Sequence, residues 1–235
     1  MGSLEYYYRN SKDYAFQITD ETQKTCPCTF LNTKNIWEDH SISYFFDAVP
    51  TDKQVTIVDI GAQVGLYTLY AKFLPRSTFY AFEPFPCTYR LLEDNLKLNN
   101  IPNVHTVRKA VSDTEGVVTL NTCKSHNGLH TLGENVNRFS DIEKIQVETV
   151  TLDTYFYNNN IGVDFIKIDT EGHEYFILRG GLKTIQKNKP LIQIEWNLDN
   201  MVQCNVNEHM LNDLIRDMGY RKHGLIGEEL FIVPV

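Results

Sequence analysis

The amino-acid sequence predicts an α/β fold in which a mostly parallel sheet is covered by helices on both faces. Short β-branched runs alternate with helix-like stretches from Val55 onward, which is the order expected of strand–helix–strand units. Several of these runs are apolar throughout, as strands buried on both faces are. The 235 residues are enough for one such domain with a full core and an accessory segment.

The predicted elements follow in chain order. Residues 1–50 are polar and aromatic and end in an apolar pattern of helical spacing that Pro50 stops, so we expect an accessory segment there. Residues 51–235 form the main domain. Its predicted strands are VTIVDI, STFYAF, NVHTVRKAV, VDFIKI, PLIQIEW and a closing hairpin of YRKHGLI and ELFIVPV. Its predicted helices are VGLYTLYAKFL, PCTYRLLEDNLKLNN, two segments near 174–179 and 182–187, and NEHMLNDLIRDMG.

A long polar insertion occupies residues 121–144. GVVTL is predicted to be a short hairpin partner before it, and IQVETVTL a further strand near its end. Loops of this length without secondary structure are often functional lids. We therefore expect the insertion to close over a site and to bring His126 and His130 to a bound substrate.

Composition and charge exclude several classes of protein. The formal net charge is −8 and there is no Lys/Arg block, which argues against a nucleic-acid surface, since such surfaces need clustered cations. No apolar run approaches the roughly 20 residues needed to span a bilayer. The five cysteines are an odd number without paired metal-site spacing. We expect them to be reduced in an intracellular, cytoplasmic protein.

Three successive strands of the main domain end in residues suited to an adenosine ligand. Gly61 and Gly65 permit a tight turn and a close approach of the ligand to the backbone. Glu83 lies 22 residues after Gly61, where a carboxylate can accept hydrogen bonds from both ribose hydroxyls. Asp113 follows the third strand and is suited to the adenine amino group, with Ser112 fixing the turn, although aspartates at such positions are often turn formers.

The glycine loop distinguishes between adenosine cofactors. Its spacing is G-x-x-x-G, and the middle glycine of the dinucleotide fingerprint, which serves a pyrophosphate, is replaced by Gln63. The three strand ends therefore favour S-adenosylmethionine (SAM), which has an adenosine and no phosphates, over NAD.

Motifs over residues 37–197 resemble the FkbM-type methyltransferases in order and spacing. They are VDIGAQVGLYTL, FEPFP, AVSD, VTLDTYF and VDFIKIDTEGHEYFILRGG, followed by KPLIQIEWN. The resemblance implies a class I SAM-dependent methyltransferase (Rossmann-like) fold with a seven-stranded, mostly parallel sheet in the order 3-2-1-4-5-7-6. It also implies methylation of a hydroxyl, commonly on a sugar or a polyketide-type natural product. Gln63 replaces the more usual Asn, and residues 1–36 and 121–144 have no clear counterpart. The expected SAM-binding residues are Asp59, Gly61, Gly65, Glu83, Ser112, Asp113 and Asp169.

The stretch FIKIDTEGHEYF brings several ionisable groups to the end of an apolar strand. Alternation along this strand predicts that Lys167 and Asp169 share one face, with Lys167 acting as a paired structural cation. An alcohol is a poor nucleophile, so methyl transfer to a hydroxyl needs a base or a metal ion nearby. His173 is the first candidate for the base, with Asp169 and Glu171 as further catalytic candidates. For Glu174 we favour a structural role, in which its carboxylate satisfies free backbone N–H groups.

A second mechanism uses the next strand, PLIQIEW. Glu195 ends this strand and Asn197 follows it, so that both are expected near Asp169 and near the substrate. Two carboxylates and an amide oxygen are ligands that suit Mg²⁺ or Mn²⁺. Asp169, Glu195 and Asn197 therefore form a candidate metal site, where the ion would lower the pKa of a sugar hydroxyl.

The leading hypothesis is a SAM-dependent O-methyltransferase that acts on a sugar hydroxyl in a glycan or glycoside. The acidic charge and the aromatic N-terminal segment fit a neutral carbohydrate acceptor. The alternatives are a methyltransferase for a non-sugar natural-product hydroxyl, a SAM-binding protein without turnover, and an NAD-dependent oxidoreductase. A homodimer is compatible with all of them.

Overall fold

The computed structural model describes residues 6–9, 15–25, 39–123, 129–133 and 141–235, and the following elements lie within them. The strands are β1 (Tyr6–Arg9), β2 (Ala15–Ile18), β3 (Thr56–Ile60), β4 (Thr78–Phe82), β5 (Val104–Val107), β6 (Ala110–Val111), β7 (Gly116–Cys123), β8 (Ile142–Val150), β9 (Phe165–Ile168), β10 (Leu191–Glu195), β11 (Tyr220–Ile226) and β12 (Glu229–Pro234). The α-helices are α1 (Asp20–Thr25), α2 (Asp39–Asp47), α3 (Pro86–Leu98), α4 (Glu174–Arg179), α5 (Leu182–Asn188), α6 (Leu198–Gln203) and α7 (Glu208–Asp217). A 3₁₀-helix covers Thr68–Phe73 and a π-helix covers Asp153–Tyr157.

The central sheet has seven strands in the order β11-β12-β10-β9-β3-β4-β5. The five strands from β10 to β5 are parallel, whereas β12 runs antiparallel to β10 and β11 antiparallel to β12. When these strands are numbered along the chain, the order is 3-2-1-4-5-7-6. The predicted fold class and the predicted closing hairpin are therefore confirmed.

The two faces of the sheet carry separate cores, and strand β9 contributes to both. Phe165 packs against Phe45 of α2, with ring centroids 5.9 Å apart. Ile166 and Ile168 are fully buried in the cluster on the opposite face. Lys167 shares its face with Phe165, and its Nζ atom lies 5.0 Å from the ring centroid of Tyr67. The predicted alternation along this strand is thus present.

The segment before residue 50 packs against the main sheet and α3. The buried ring of Phe16 contacts Tyr70, with centroids 5.4 Å apart. The Gln17 backbone N–H donates to the side chain of Asn99, and Thr19 N–H donates to Asn95 Oδ1. Helix α2 belongs to the same buried cluster as β3. The predicted domain boundary at residue 50 stays a prediction.

A second sheet has the order β6-β8-β7 and includes both ends of the predicted polar insertion. Strands β7 and β8 pair antiparallel from Gly116 opposite Thr149 to Cys123 opposite Ile142. The hairpin is therefore longer than predicted, and the ends of the 121–144 segment belong to its ladder. The reason is that Leu120 and Val147 pack with Ala110 in a small core of their own, which a polar loop would not form.

Two local predictions were wrong. The stretch VGLYTLYAKFL forms turns and a 3₁₀-helix, because Gly65 lies in the left-handed region at φ +102° and interrupts a regular α-helix. The predicted strand NVHTVRKAV is divided into β5 and β6 by a turn in which Lys109 N–H donates to Val107 O. Within the described ranges, no helix has the length and apolarity that a membrane span requires.

Gly61 provides a test of how tightly β3 and β9 meet at their ends. A Cβ atom on Gly61 would lie 1.9 Å from the carbonyl oxygen of Asp169, whereas at Gly219, with nearly the same positive φ, it would meet nothing within 4 Å. Both alanine substitutions incur backbone strain of about 1 kcal/mol, and only Gly61→Ala adds overpacking of about 1–3 kcal/mol. We expect urea unfolding to show a clearly larger stability loss for Gly61→Ala. Equal losses would contradict this close contact.

Candidate active site

A cavity of about 800 Å³ opens at the carboxyl ends of β3, β4, β9 and β10. Ligands of open α/β sheets bind at this edge, and the volume lies in the usual range for small-molecule sites. The segment 129–133 and strand β7 of the small sheet close one side through apolar side chains, among them Leu120 and Leu132. Eight carboxylates and two lysines of the described residues line the cavity, so its charge is strongly negative.

The glycine loop forms the end of the cavity next to β4. Gly61 at φ +76° and Gln63 at φ +51° turn the chain sharply, and the N–H groups of Gly61 and Ala62 both donate to Phe82 O at 3.0 Å. Gly65 extends the turn. These three backbone conformations place the loop against the end of β4, which is the arrangement that the glycine spacing predicted.

Glu83 anchors this loop. One carboxylate oxygen accepts from Gln63 N–H at 2.8 Å, and the other accepts from Phe85 N–H at 2.8 Å and Thr88 Oγ1 at 2.9 Å. Burial raises the pKa of Glu83, while these donors lower it. The side chain lines the cavity, as a ribose-binding acid must.

Lys167 is a paired cation, as predicted. Its Nζ atom lies 3.2 Å from Asp169 Oδ2 and 3.7 Å from Asp59 Oδ1, and it donates to Gly61 O at 3.3 Å. Asp59 accepts a hydrogen bond from Thr68 Oγ1 at 2.6 Å. Burial raises the pKa of Asp59, and the charge of Lys167 opposes that shift. The lysine therefore lets two aspartates approach each other beneath the glycine loop.

Asp169, Glu171 and Glu195 form an acid cluster in which one oxygen of each lies within 4.8 Å of the others. The amide nitrogen of Asn200 donates to Glu171 Oε2 at 2.8 Å and to Glu195 Oε1 at 2.7 Å. The pKa of Glu195 is raised well above its usual value by burial first and then by Asp169, Glu174 and Glu171. Sequence reasoning missed Asn200 because its position depends on how α6 folds back over β9.

The loop after β9 is held by Glu174. Its Oε1 atom accepts from Thr170 N–H and Thr170 Oγ1, both at 2.9 Å, and from Gly172 N–H at 3.3 Å. Burial raises the pKa of Glu174 to about 7. The structural role predicted for this residue is therefore seen in its contacts. Glu171 lies in the left-handed region at φ +57°, which is a sparsely populated conformation for a residue with a side chain.

His173 points toward the turn after β6. Its Nε2 atom lies 2.9 Å from Ser112 Oγ, and its ring stacks on Phe176 with a centroid distance of 4.7 Å. Burial lowers the pKa of His173 to about 4. The imidazole is therefore neutral at pH 7 and a weak proton acceptor, so the geometry favours the acid cluster as the base. The catalytic role of His173 stays a prediction.

Ser112 and Asp113, the predicted adenine contacts, lie just behind the cavity wall. The carboxylate of Asp113 pairs with the guanidinium of Arg179, and Ser112 Oγ donates to Asp113 Oδ1 at 3.2 Å. Among the residues that the structure describes, Val111 lines the cavity on this side, and neither Ser112 nor Asp113 does. Their role toward the adenine stays a prediction.

Asn197 lines the cavity but does not join the acid cluster. Its Oδ1 atom accepts from the N–H groups of Asp199 and Asn200, both at 3.1 Å, and its Nδ2 atom donates to Glu228 at 3.2 Å. The amide oxygen is therefore used as the N-cap of α6. The role of Asn197 as a metal ligand stays a prediction, and Glu171 is the third acid beside Asp169 and Glu195.

His130 lies on the wall formed by the small sheet, and His126 lies outside the described residues. His130 Nδ1 accepts from Cys123 N–H at 3.3 Å, and its ring packs on Phe85 at 4.4 Å. Its Nε2 atom is buried without a hydrogen-bond partner among the described residues. Thr131 Oγ1 donates to Glu171 O at 2.9 Å. The wall is thereby tied directly to the acid cluster.

The family is decided by a match over most of this domain. Residues 59–222 match the model of the methyltransferase FkbM domain, and these residues contain the glycine loop, Glu83 and the acid cluster. The chain belongs to the FkbM methyltransferase family. This FkbM chain is accordingly a SAM-dependent methyltransferase, and the oxidoreductase alternative loses its support.

Similar proteins agree with the family. The FkbM chain is 28% identical over 183 residues to Methyltransferase 1 of Beauveria bassiana (strain ARSEF 2860), covering 70% of this chain and 74% of that protein. It is 29% identical over 176 residues to Methyltransferase sdnD of Sordaria araneosa, covering 63% and 66%. The crystal structure of Methyltransferase FkbM from Methylobacillus flagellatus KT superposes with a TM-score of 0.51 at 16% identity. That match covers 83% of this chain and half of the other, and it supports the fold.

SAM fits the residues around the cavity. The cofactor is a sulfonium cation with an ammonium group, and the cavity has a large excess of negative charge. Asp59 and Glu83 are buried acids that line the cavity beside the glycine loop. Asp59, Gly61 and Glu83 are therefore the residues best placed to hold the cofactor.

The buried His130 makes stability depend on pH. Its pKa falls from 6.5 to about 4 on folding. Between these two values, His130 is protonated in the unfolded chain and neutral in the folded chain, so lowering the pH favours unfolding. Between pH 7 and pH 5 the wild type should lose about 2 kcal/mol relative to His130→Gln, which has no imidazole. Urea unfolding at both pH values measures this, with the exposed His105→Gln as control. Parallel curves for wild type and His130→Gln would refute it.

Proposed function

We propose that this FkbM chain is an O-methyltransferase that methylates a hydroxyl, in the first place a sugar hydroxyl of a glycan or glycoside. The observation that carries the proposal is the acid cluster of Asp169, Glu171 and Glu195 at the strand ends next to the glycine loop. Ionised carboxylates are hydrogen-bond acceptors only, and they pair with the hydroxyl donors that an alcohol acceptor offers.

The chain's own residues supply what this reaction needs. SAM, when bound, provides an electrophilic methyl group on a cationic sulfur. The acid cluster orients the acceptor hydroxyl and takes its proton as the new O–C bond forms, while the S–C bond breaks and S-adenosylhomocysteine leaves. A carboxylate with a raised pKa is the better proton acceptor, and Glu195 has one oxygen free for this role. Lys167 holds Asp169 in place and limits the repulsion among the acids.

A metal ion at the same cluster is the second form of the mechanism. The oxygen donors of Asp169, Glu171 and Glu195 suit Mg²⁺ or Mn²⁺, which would lower the pKa of the acceptor hydroxyl. In that form the three carboxylates would hold the ion, and the acceptor proton would leave to solvent. The two forms predict opposite responses to a chelator.

A non-sugar natural-product hydroxyl is the alternative acceptor. The small sheet presents Leu120, Leu129 and Leu132 to the cavity, and such a wall favours an acceptor with an apolar body. The aromatic residues on which a sugar preference was based (Tyr6, Tyr7, Tyr8, Tyr14 and Trp37) have no described side chains. We also propose an intracellular location and a homodimer.

Glu83→Gln tests the cofactor end of the cavity. The amide keeps one acceptor oxygen and places its N–H₂ group either against Gln63 N–H or against Phe85 N–H and Thr88 Oγ1, which now donate to a carboxylate. A hydrogen bond to a charged group contributes about 1.5–3 kcal/mol, so SAM affinity should fall about tenfold or more. Calorimetric titration with SAM measures it, and Glu93→Gln on α3 is the control. Unchanged SAM affinity would remove Glu83 from the site.

Turnover with SAM on a panel of glycosides and of polyketide-type alcohols tests the proposed reaction. We expect S-adenosylhomocysteine release with at least one glycoside, and loss of about tenfold or more with Glu195→Gln, because the cluster loses a charged acceptor. Loss with EDTA and recovery with Mg²⁺ or Mn²⁺ supports the metal form, and indifference to EDTA supports the carboxylate base. Release with apolar alcohols alone would replace the sugar proposal, and SAM binding without any release would overturn O-methylation of these classes.

A further inference from the structure

The loop after β9 holds Glu171 in an unfavourable backbone conformation. Its φ angle of +57° lies in the left-handed region, which a residue with a side chain keeps only when its surroundings impose it. The next residue, Gly172 at φ +104°, packs so closely on α6 that a Cβ atom there would lie 2.1 Å from the carbonyl oxygen of Asn200. Contacts from other parts of the chain therefore keep Glu171 in place.

Two side chains hold Glu171 at different points. The amide nitrogen of Asn200 donates to Glu171 Oε2 at 2.8 Å, which orients the carboxylate. Thr131 Oγ1 donates to the backbone carbonyl oxygen of Glu171 at 2.9 Å. This second bond fixes the peptide group between Glu171 and Gly172, whose orientation depends on the backbone angles of both residues. The hydroxyl of Thr131 therefore acts on the left-handed conformation itself.

Thr131 is itself rigidly placed. Its side chain is 1% exposed, and its backbone exchanges two hydrogen bonds with Asn121 of β7 at 2.9 and 3.0 Å. The N–H group of Gly133 donates to Thr131 Oγ1 at 3.0 Å, so the hydroxyl accepts there and its proton is directed to Glu171. Asn121 Nδ2 donates to Gly133 O at 2.7 Å and closes the arrangement. The small sheet thus offers Glu171 a fixed donor.

The segment that carries Thr131 is also part of the cavity wall. His130 and Leu132, its two neighbours in the chain, line the cavity, whereas the Thr131 hydroxyl is turned to the loop after β9. An acceptor that packs against this wall therefore contacts a segment bonded directly to Glu171. Recognition of the acceptor and placement of the acid cluster share one short piece of chain.

We propose that Thr131 is a positioning residue for methyl transfer, which acts through the carbonyl of Glu171 and keeps the acid cluster in the arrangement that meets the acceptor hydroxyl. The role of Glu171 toward the acceptor rests on the proposed function, whereas the effect of Thr131 on the loop does not. Sequence reasoning assigned the neighbouring His130 to the substrate and gave Thr131 no role, because a threonine in a polar insertion does not indicate a contact 40 residues along the chain.

Thr131→Val tests the proposal, because it keeps the shape of the side chain and removes the hydroxyl. We expect kcat with an accepted hydroxyl substrate to fall about tenfold, the loss typical of a buried hydrogen bond whose partner is left behind. SAM affinity in a calorimetric titration should not change, and Thr131→Ser should restore most of kcat. The matched control is Thr122→Val, a buried threonine of the same sheet whose Oγ1 donates to Glu143 O at 3.1 Å. A purely structural threonine would lower stability without separating kcat from SAM affinity.

Hydrogen exchange in the protein without acceptor gives a second measurement that needs no turnover. The N–H groups of Thr170 and Gly172 are hydrogen-bonded within the loop, and they exchange when the loop opens. In Thr131→Val these two amides should exchange about tenfold faster, because the loop loses the bond that holds its left-handed residue. Thr131→Ser and Thr122→Val should exchange as the wild type does.

The two measurements separate this inference from the proposed reaction. SAM-induced thermal shifts report whether each variant is folded, and Thr131→Ala replaces Thr131→Val if the valine protein is not. Unchanged exchange in the loop, equal kcat in Thr131→Val and wild type, or no recovery in Thr131→Ser overturns the positioning role. Faster exchange in Thr131→Val, with no release of S-adenosylhomocysteine by the wild type from any acceptor, supports the effect on the loop and refutes the proposed reaction.

Discussion

Close contact between the ends of β3 and β9 is the constraint on which the site depends. Gly61 lies so near the carbonyl of Asp169 that there is no room for a side chain between them. Lys167 fills the space beneath this contact and pairs with Asp59 and Asp169. The contact between Gly61 and the Asp169 carbonyl therefore sets the position of the glycine loop relative to the acid cluster.

Burial has opposite consequences for the acids and the histidines of the cavity. It raises the pKa of Glu195 and of Glu174, and it lowers the pKa of His130 and His173 to about 4. The groups that hold protons more tightly are thus carboxylates, and the imidazoles are neutral. Sequence reasoning assigned the base by unperturbed pKa values and chose His173. Burial shifts the pKa values of the two kinds of group in opposite directions, which the residue types alone do not indicate. The role of His173 as the base stays a prediction.

Regular features were predictable from the sequence and irregular ones were not. Apolar runs with strand length specify β3, β9 and β10, and the spacing of Gly61 and Gly65 specifies a turn, because both patterns are local. The N-cap role of Asn197 and the bonds of Asn200 to Glu171 and Glu195 were not predicted, because both depend on where α6 begins. Glu171 is in the cluster because its backbone is left-handed, a conformation that a glutamate in the sequence does not predict.

In the described part of the chain, a hydrogen bond from Thr131 Oγ1 to Glu171 O joins the wall formed by the small sheet to the loop of the acid cluster. Within the wall, Asn121 Nδ2 donates to Gly133 O at 2.7 Å. The wall is therefore built on a hairpin separate from the strands that end in Gly61, Glu83 and Asp169. Substitutions on the cavity side of β7 can change the shape of this wall without replacing any residue of the acid cluster.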